Sequence, residues 1–528
     1  MIKKEMRLII SVLDRATLLS IAMMSILVSL LSLSIPLAAQ TLINLIAFGK
    51  LFQPVITLSL IVFVLMIALG ALDIWQMVII EVIQQKLTVK ISIALTNQFT
   101  HLSLDNFSSH HGPELVNRYF EIFTINKALA SLLLYGIGLN LQLFFGLLLL
   151  LFYHPLFLVF DGLIILGVLL SVLIPYRKGM ESARQECSKK HAIGAWLEEI
   201  LLNRYLFRFN LYHRYAIQQT DKKLVAFLIA RNAHFWQLIK HQIGFYGLAA
   251  IASGLLLVIG GYLVIHNQLS LGQLVAAEIV LGALIYAFKR FGVLLENYYD
   301  LVAAADKIDK VLDLPIEQAN EHFNELFAPI TSIQLKIKEK TVASVTVDNP
   351  LLIHSPDPER CDAFTEGLLG FRTESSFEVL INHIFCTQAH RIALRNHSLI
   401  IGQPQWFVGT FYDNLVLNQR GVSDKTIINQ LRRFGLLETV MQLDHGLNTV
   451  MYEWQTLFSQ VELIKLMIVR ALLLKPQLLI IDRALDFIDR AKVDELMTQL
   501  RELKNTLLIV VSQHSDFKQI PNGLVIPS

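Results

Sequence analysis

Charge is scarce in this chain. Only 17% of its 528 residues are Asp, Glu, Lys or Arg, against roughly a quarter in an ordinary soluble domain, and 54% are hydrophobic. That balance excludes a disordered, collagen-like or acidic-tail polypeptide. An excess of one sign is missing too. The 45 basic and 43 acidic residues leave a net charge of +2, which gives no electrostatic reason to expect nucleic acid as a partner. Cysteine is nearly absent: Cys187, Cys361 and Cys386 are widely spaced and match no disulfide or metal-ligand pattern, so they read as packed thiols and no metal centre is expected.

What the chain does have is long apolar runs, crowded into its first ~300 residues. Six candidate spans follow one another: about Ala16 to Ile46 (with Pro36 as a kink), Val55 to Ile80, Leu129 to Phe152, Leu156 to Ile174, Ile243 to Ile265 and Leu271 to Leu294. Each is long enough to cross ~30 Å of hydrocarbon at about 1.5 Å per residue. The first run is too long for a cleaved signal peptide and reads as a retained anchor behind an amphipathic lead-in. Connections after spans one, three and five are short and almost uncharged. Those after spans two and four, about Glu81 to Lys127 and Arg177 to Lys240, are long, polar and helical in period, the second rich in Lys and Arg. The positive-inside rule puts those loops and both termini in the cytoplasm. Membrane lipid is the surrounding medium.

Asp161 and Glu278 fall in the outer halves of spans four and six. Carboxylates inside a membrane are costly and often functional, so the two are candidates for a shared substrate cavity; the alternative is that they pair with a neighbouring helix or lie near span ends.

From about Glu317 the pattern changes. Short aliphatic runs (Leu351–Ile353, Phe377–Ile381, Leu399–Ile401, Leu478–Ile481, Leu507–Val511) alternate with amphipathic segments, which indicates an α/β domain with a largely parallel sheet. The expected organisation is an all-α six-helix transmembrane domain over residues 1–316 followed by an α/β domain over residues 317–528.

Ordered short motifs then carry a resemblance. They are HGPELVNR at 111–118, Leu269–Val275 opening span six, Asp306–Pro315 as a linker, Gln403 with Gly409–Leu415, Arg470–Leu473, Leu478–Asp482, Asp489, and His514 after a strand. Together they resemble a half-transporter of the ATP-binding cassette (ABC) exporters, over almost the whole length. The resemblance implies an α/β nucleotide-binding domain of the P-loop type. Gln403 then stands in the Q-loop, Asp482 ends the Walker B strand, Asp489 lies in the D-loop and His514 is the switch histidine. It also implies ATP with Mg²⁺ as cofactor and a bacterial inner (plasma) membrane location. Because the chain stops at Ser528, the family's C-terminal helical tail is expected to be missing or shortened.

The phosphate-binding loop of this family needs G-x-x-x-x-G-K-[ST], whose glycine amides curl around phosphates while Lys and a hydroxyl manage charge and Mg²⁺. The corresponding stretch here is SPDPERCDA, Ser355 to Ala363. Ser355, Pro358 and Arg360 replace the glycines, Cys361 the lysine and Asp362 the metal-binding hydroxyl. Proline has no N–H to donate, and Asp357, Glu359 and Asp362 set carboxylates where phosphates would lie. After Asp482, the glutamate that polarises water is Arg483, and a guanidinium cannot act as general base near neutral pH. It is expected to pair with Asp486 or Asp489. The signature L-S-G-G-Q corresponds to Phe458–Glu462, keeping Ser459 but neither glycine. The survivors Gln403, Asp482, Asp489 and His514 read as structurally retained, Gln403 and Asp482 as buried, hydrogen-bonded groups.

Family members act as dimers with ATP sandwiched between the phosphate loop of one chain and the signature of the other. The resemblance therefore implies a non-catalytic subunit of an export complex, paired with an ATP-competent half, a heterodimer rather than a homodimer. A membrane scaffold that no longer transports, or a conventional ATP-hydrolysing exporter, are the alternatives.

Overall fold

The computed structural model describes residues 10–11, 14–48, 52–103, 112–337, 340–373, 376–417, 419, 421–500, 503, 505–513 and 522–525. The chain divides into two compact units, Met1–Thr100 with Ser109–Leu314, and His101–Ser108 with Pro315–Ser528.

The first unit is helical. Its elements are α1 (Arg15–Ser32), α2 (Ser34–Phe48), α3 (Gln53–Thr100), α4 (Gly112–Asn117), α5 (Glu121–Ser131), α6 (Ile137–Tyr153), α7 (Phe157–Leu202), α8 (Asn210–Ile265) and α9 (Leu271–Leu312). They make six stretches long and apolar enough to cross a membrane, matching the six runs in the sequence. α3, α7, α8 and α9 hold 48, 46, 56 and 42 residues, about twice what the ~20 residues of a bilayer crossing require. The polar segments are thus continuous with the spans as helix. The first span breaks at Leu33, between α1 and α2. That is three residues before Pro36, because proline has no N–H for the turn preceding it.

Two sequence features explain local starts and bends. Ser270 caps α9: the Gln273 N–H donates to its hydroxyl at 3.1 Å, and the Ser270 N–H donates to Gln273 Oε1 at 2.8 Å, a reciprocal capping box. A π-helical turn at Leu132–Gly136 joins α5 to α6. Along the spans, Leu158, Ile165, Leu169, Leu257 and Val258 are exposed, as lipid-facing positions must be. Phe157, Phe160, Leu256, Leu284 and Phe288 close a shared core. Buried His241 joins the Ser171 carbonyl at 2.8 Å and the Tyr299 hydroxyl at 2.9 Å, and Tyr299 lies over Gly179, where any Cβ would collide with its ring.

The second unit is α/β. Strands β1 (Ser332–Ile337), β2 (Lys340–Thr346), β3 (Leu351–His354), β4 (Glu378–Ile381), β5 (Ile384–Phe385), β6 (Ser398–Ile401), β7 (Gly409–Thr410), β8 (Val450–Met451), β9 (Leu478–Asp482), β10 (Leu507–Ser512) and β11 (Asn522–Val525) form three sheets. The central one runs β11-β3-β10-β9-β6, every pair parallel. β9 and β10 are almost wholly buried, as strands covered on both faces read in sequence. The run at Phe377–Ile381 forms β4 of the antiparallel sheet β2-β1-β4-β5 instead. Helices α10 (Pro358–Leu368), α11 (Phe411–Val416), α12 (Asp424–Arg433), α13 (Gln460–Leu474) and α14 (Arg490–Leu500) complete the elements used below. α11, α12 and α13 enclose one core with Trp454 and Leu479. Buried Arg470 on α13 stacks its guanidinium 4.2 Å from the Trp406 ring and donates to the Asn414 carbonyl at 2.8 Å.

Candidate nucleotide site

Open α/β sheets bind ligands beyond the carboxyl ends of their strands. There the central sheet gathers the ends of β3, β10, β9 and β6: His354, Ser512, Asp482 and Ile401. The connection from β3 to α10 is only Ser355, Pro356 and Asp357. Ser355 is fully buried, and its N–H donates to the Ser512 carbonyl at 3.2 Å. Asp357 is the N-cap of α10: its carboxylate accepts from the Glu359 N–H at 3.0 Å, with Pro358 at the first helical position. Arg360 Nε lies 3.3 Å from the other Asp357 oxygen. The positive end of α10, where a phosphate would be held, is therefore met by the chain's own carboxylates.

Cys361, at the lysine position, faces inward. It is fully buried among Phe364, Leu351 and Ile509, and its thiol donates to the Ser355 carbonyl at 3.6 Å. Burial pushes that thiol above its ordinary range, against a downward pull from Arg483. Ala363 is half-buried one turn into the helix.

Arg483 follows β9 in the left-handed region at φ +53°, anchored by its N–H to the Val511 carbonyl at 2.8 Å. Its guanidinium donates from Nε to Asp482 at 3.0 Å and from a terminal nitrogen to Asp362. The side chains of Arg483, Asp482 and Asp362 are 23%, 12% and 42% exposed, so the bridge is tightest against solvent on the Asp482 side. Burial raises Asp482 above the usual carboxylate range, although Arg483 pulls it down. Arg483 is itself raised: burial opposes its charge, and Asp482 and Asp362 outweigh that opposition. Its ion pairs are therefore with Asp362 and Asp482, not with Asp486 or Asp489 as the sequence suggested. Asp486 instead accepts from the Ser512 hydroxyl at 2.5 Å and the Gln513 N–H at 3.0 Å, and Asp489 is exposed beyond it. The Asp362–Arg483 pairing joins residues 121 apart in sequence. Its only sequence signal is that an acid replaces the hydroxyl and a base replaces the acid, a matched reversal.

Gln403 lies just past β6 and is exposed, which corrects the expectation of a buried group; Gly402 beside it approaches the Asp482 backbone, its hypothetical Cβ 3.4 Å from the carbonyl oxygen. Ser459 caps α13. It accepts from the Glu462 N–H at 3.4 Å, while the Glu462 carboxylate takes both the Ser459 N–H and hydroxyl at 2.8 Å. His514 lies outside the described residues.

In the first unit, Asp161 is buried on α7 and Glu278 half-buried on α9. Among the described residues, one carboxylate oxygen of each has no hydrogen-bond partner. Among the described residues no hydrogen bond or ion pair joins the two. A cavity of about 130 Å³ between the helices is lined by Leu33, Pro36, Gln142, Gly146, Val280 and Leu284, and neither acid borders it.

Six spans and a β11-β3-β10-β9-β6 sheet ending at this site give the chain the fold of an ABC exporter. A solved bacterial Atm1-family ABC exporter with ATP bound superposes at a TM-score of 0.81, with 17% sequence identity, covering 97% of this chain and 94% of that one. Among curated proteins, similar sequences are the leukotoxin export ATP-binding protein LtxB of Aggregatibacter actinomycetemcomitans and the alpha-hemolysin translocation ATP-binding protein HlyB of Proteus vulgaris. LtxB is 23% identical over 329 residues, 58% of this chain and 45% of that protein. HlyB is 21% identical over 315 residues, 56% of this chain and 43% of that protein. The matches thus span less than half the length of these curated relatives. No protein-family model matches the chain.

Proposed function

We propose that this chain is a non-catalytic half of an ABC-type export complex, contributing six of twelve spans and pairing with a second, ATP-competent half. In this reading residues 1–316 form the membrane domain, 317–528 the nucleotide-type domain, and the latter lies in the cytoplasm with both termini, at a bacterial inner membrane. The carrying observation is the Arg483 guanidinium seated between Asp362 and Asp482. In an intact site a Mg²⁺ ion is held by the phosphate-loop hydroxyl and the Walker B aspartate; here a side-chain cation joins the residues at both positions. The other residues present do not fit ATP·Mg²⁺ either. The helix end is capped by Asp357, position 361 faces the core, and a triphosphate placed there would meet the like charge of Asp357, Glu359 and Asp362, at a cost of several kcal/mol where the site is poorly solvated.

The trans face points the same way. At Ser459 the carboxylate of Glu462 already takes the hydroxyl and the backbone N–H, the donors that a partner's γ-phosphate would need. In this reading ATP is bound by the partner's phosphate loop opposite a signature whose Ser459 donors are already taken, and this chain contributes spans and coupling rather than catalytic groups.

The test is co-purification from native membranes followed by photolabelling with an azido-ATP. The proposal expects an intact half-transporter to be recovered with this chain, label on that partner, and none on residues 355–363. Stoichiometric label on that stretch, or hydrolysis by the purified chain that Asp482→Asn abolishes, would establish a working motor instead. A stable partner of unrelated fold with no nucleotide dependence would establish a scaffold.

A further inference from the structure

Outside the nucleotide site, the structure brings Glu121 of α5 against Cys187 and His191 of α7. Cysteine and histidine four residues apart share one helix face, and α5 supplies the opposing carboxylate. The three ligand atoms all lie within 4.8 Å of one another, and all three residues are buried. His191 Nε2 is 2.9 Å from Glu121 Oε1, within ion-pair distance, yet among the described residues it makes no well-aligned hydrogen bond, so the ring nitrogen is not aimed squarely at that oxygen. Two ligands on the edge of one coordination tetrahedron stand in this relation, each aimed at a third point. With Zn–N, Zn–O and Zn–S bonds of about 2.0–2.3 Å, such edges measure about 3.3–3.6 Å, beside the 2.9 Å between the nitrogen and the oxygen and inside the 4.8 Å that bounds all three spacings. These residues belong to the polar extensions of the third and fourth helices, outside the apolar runs.

We propose that Glu121, Cys187 and His191 form a zinc site that clamps α5 to α7, with the fourth position left to water. Thiolate and imidazole together select zinc over magnesium or calcium. The Lys190 ammonium, 2.6 Å from Glu121 Oε1 on a half-exposed side chain, holds the carboxylate when no metal is there. Zinc binding displaces this ammonium toward water along its flexible stem and releases the thiol proton.

The test uses the full chain, purified in detergent and stripped with a chelator. Zinc is titrated against a chromophoric competitor, and cobalt serves as a spectroscopic probe. The site predicts one zinc per chain and a thiolate-to-cobalt charge-transfer absorption. Cys187→Ser should abolish that absorption, and it or His191→Gln should weaken zinc by more than about tenfold, beyond the loss of an outer-shell partner. Lys190→Met should tighten binding, an effect that a purely structural ion pair would not produce. In the unmutated chain, zinc should protect Cys187 from alkylation while leaving Cys361 and Cys386 unchanged. Failure to retain zinc against the competitor, a cobalt spectrum indifferent to Cys187→Ser, or equal alkylation of Cys187 with and without zinc would each overturn the site and leave an ion pair alone.

Discussion

Removing the Arg483 guanidinium is the most direct perturbation of the second unit. In Arg483→Met the apolar stem survives, so the loss is electrostatic. Asp362 is 42% exposed, and its half of the bridge is worth at most the ~0–1 kcal/mol of a solvent-screened pair. Asp482 is 12% exposed, and stranding its carboxylate falls near the low end of the ~3–5 kcal/mol for breaking a buried pair. Together they give about 3 kcal/mol. For a domain of this size that is a fall of about 6–12 °C in its transition, read by differential scanning calorimetry of the full chain in detergent. The pH dependence adds a second reading. Asp482 titrates above its unfolded value of 3.8, so the folded chain binds its proton at higher pH than the unfolded one. Stability from this group is present at low pH and is lost as pH rises through the folded value. Without Arg483 that value climbs further, so the variant's deficit should shrink as pH falls from neutral toward the folded value. An unchanged or higher transition temperature, or a deficit constant across that range, would show that the guanidinium is not an internal counter-ion and would remove the main support for a self-filled site.

Three further perturbations test separate parts of the reading. Restoring the family's lysine in Cys361→Lys should fail to create azido-ATP labelling and should lower the domain's transition, because it buries an ammonium in a fully closed core position; labelling with full stability would mean that the side chain faces the ligand site. Ser459→Ala removes the cap of α13 and should cost about 1 kcal/mol in the same calorimetric assay, with ATP turnover of the complex unchanged if this signature receives no phosphate. Gly179→Ala drives a methyl into the Tyr299 ring and should destabilise the helical unit by about 1–3 kcal/mol, measured as a lower melting temperature in detergent; no change would mean that Tyr299 has room to yield.

Much of the architecture was legible from local composition. Apolar runs of the length of a bilayer crossing must become helices, since only internally hydrogen-bonded backbone survives in hydrocarbon. Ser270-Leu271-Gly272-Gln273 announced the start of α9 through a capping box that needs only four residues. The strands at Leu351, Leu478 and Leu507 were visible because each is buried on both faces, and the half-buried edge strand at Leu399 because its run is aliphatic. By contrast, Phe377–Ile381 looked the same along the chain, and only pairing with β1 assigned it to an antiparallel sheet. The break at Leu33 also required the helix itself, since proline acts on the turn before it.

Local sequence determined the six spans, the strand runs and the absence of phosphate-loop glycines, because each depends on near neighbours and on backbone chemistry. Tertiary structure alone decided that Arg483 reaches Asp362, that Cys361 faces the core, and that Glu121 meets Cys187 and His191. Those outcomes join residues scores of positions apart, and only the folding of helices and strands against one another brings such groups within a few ångströms.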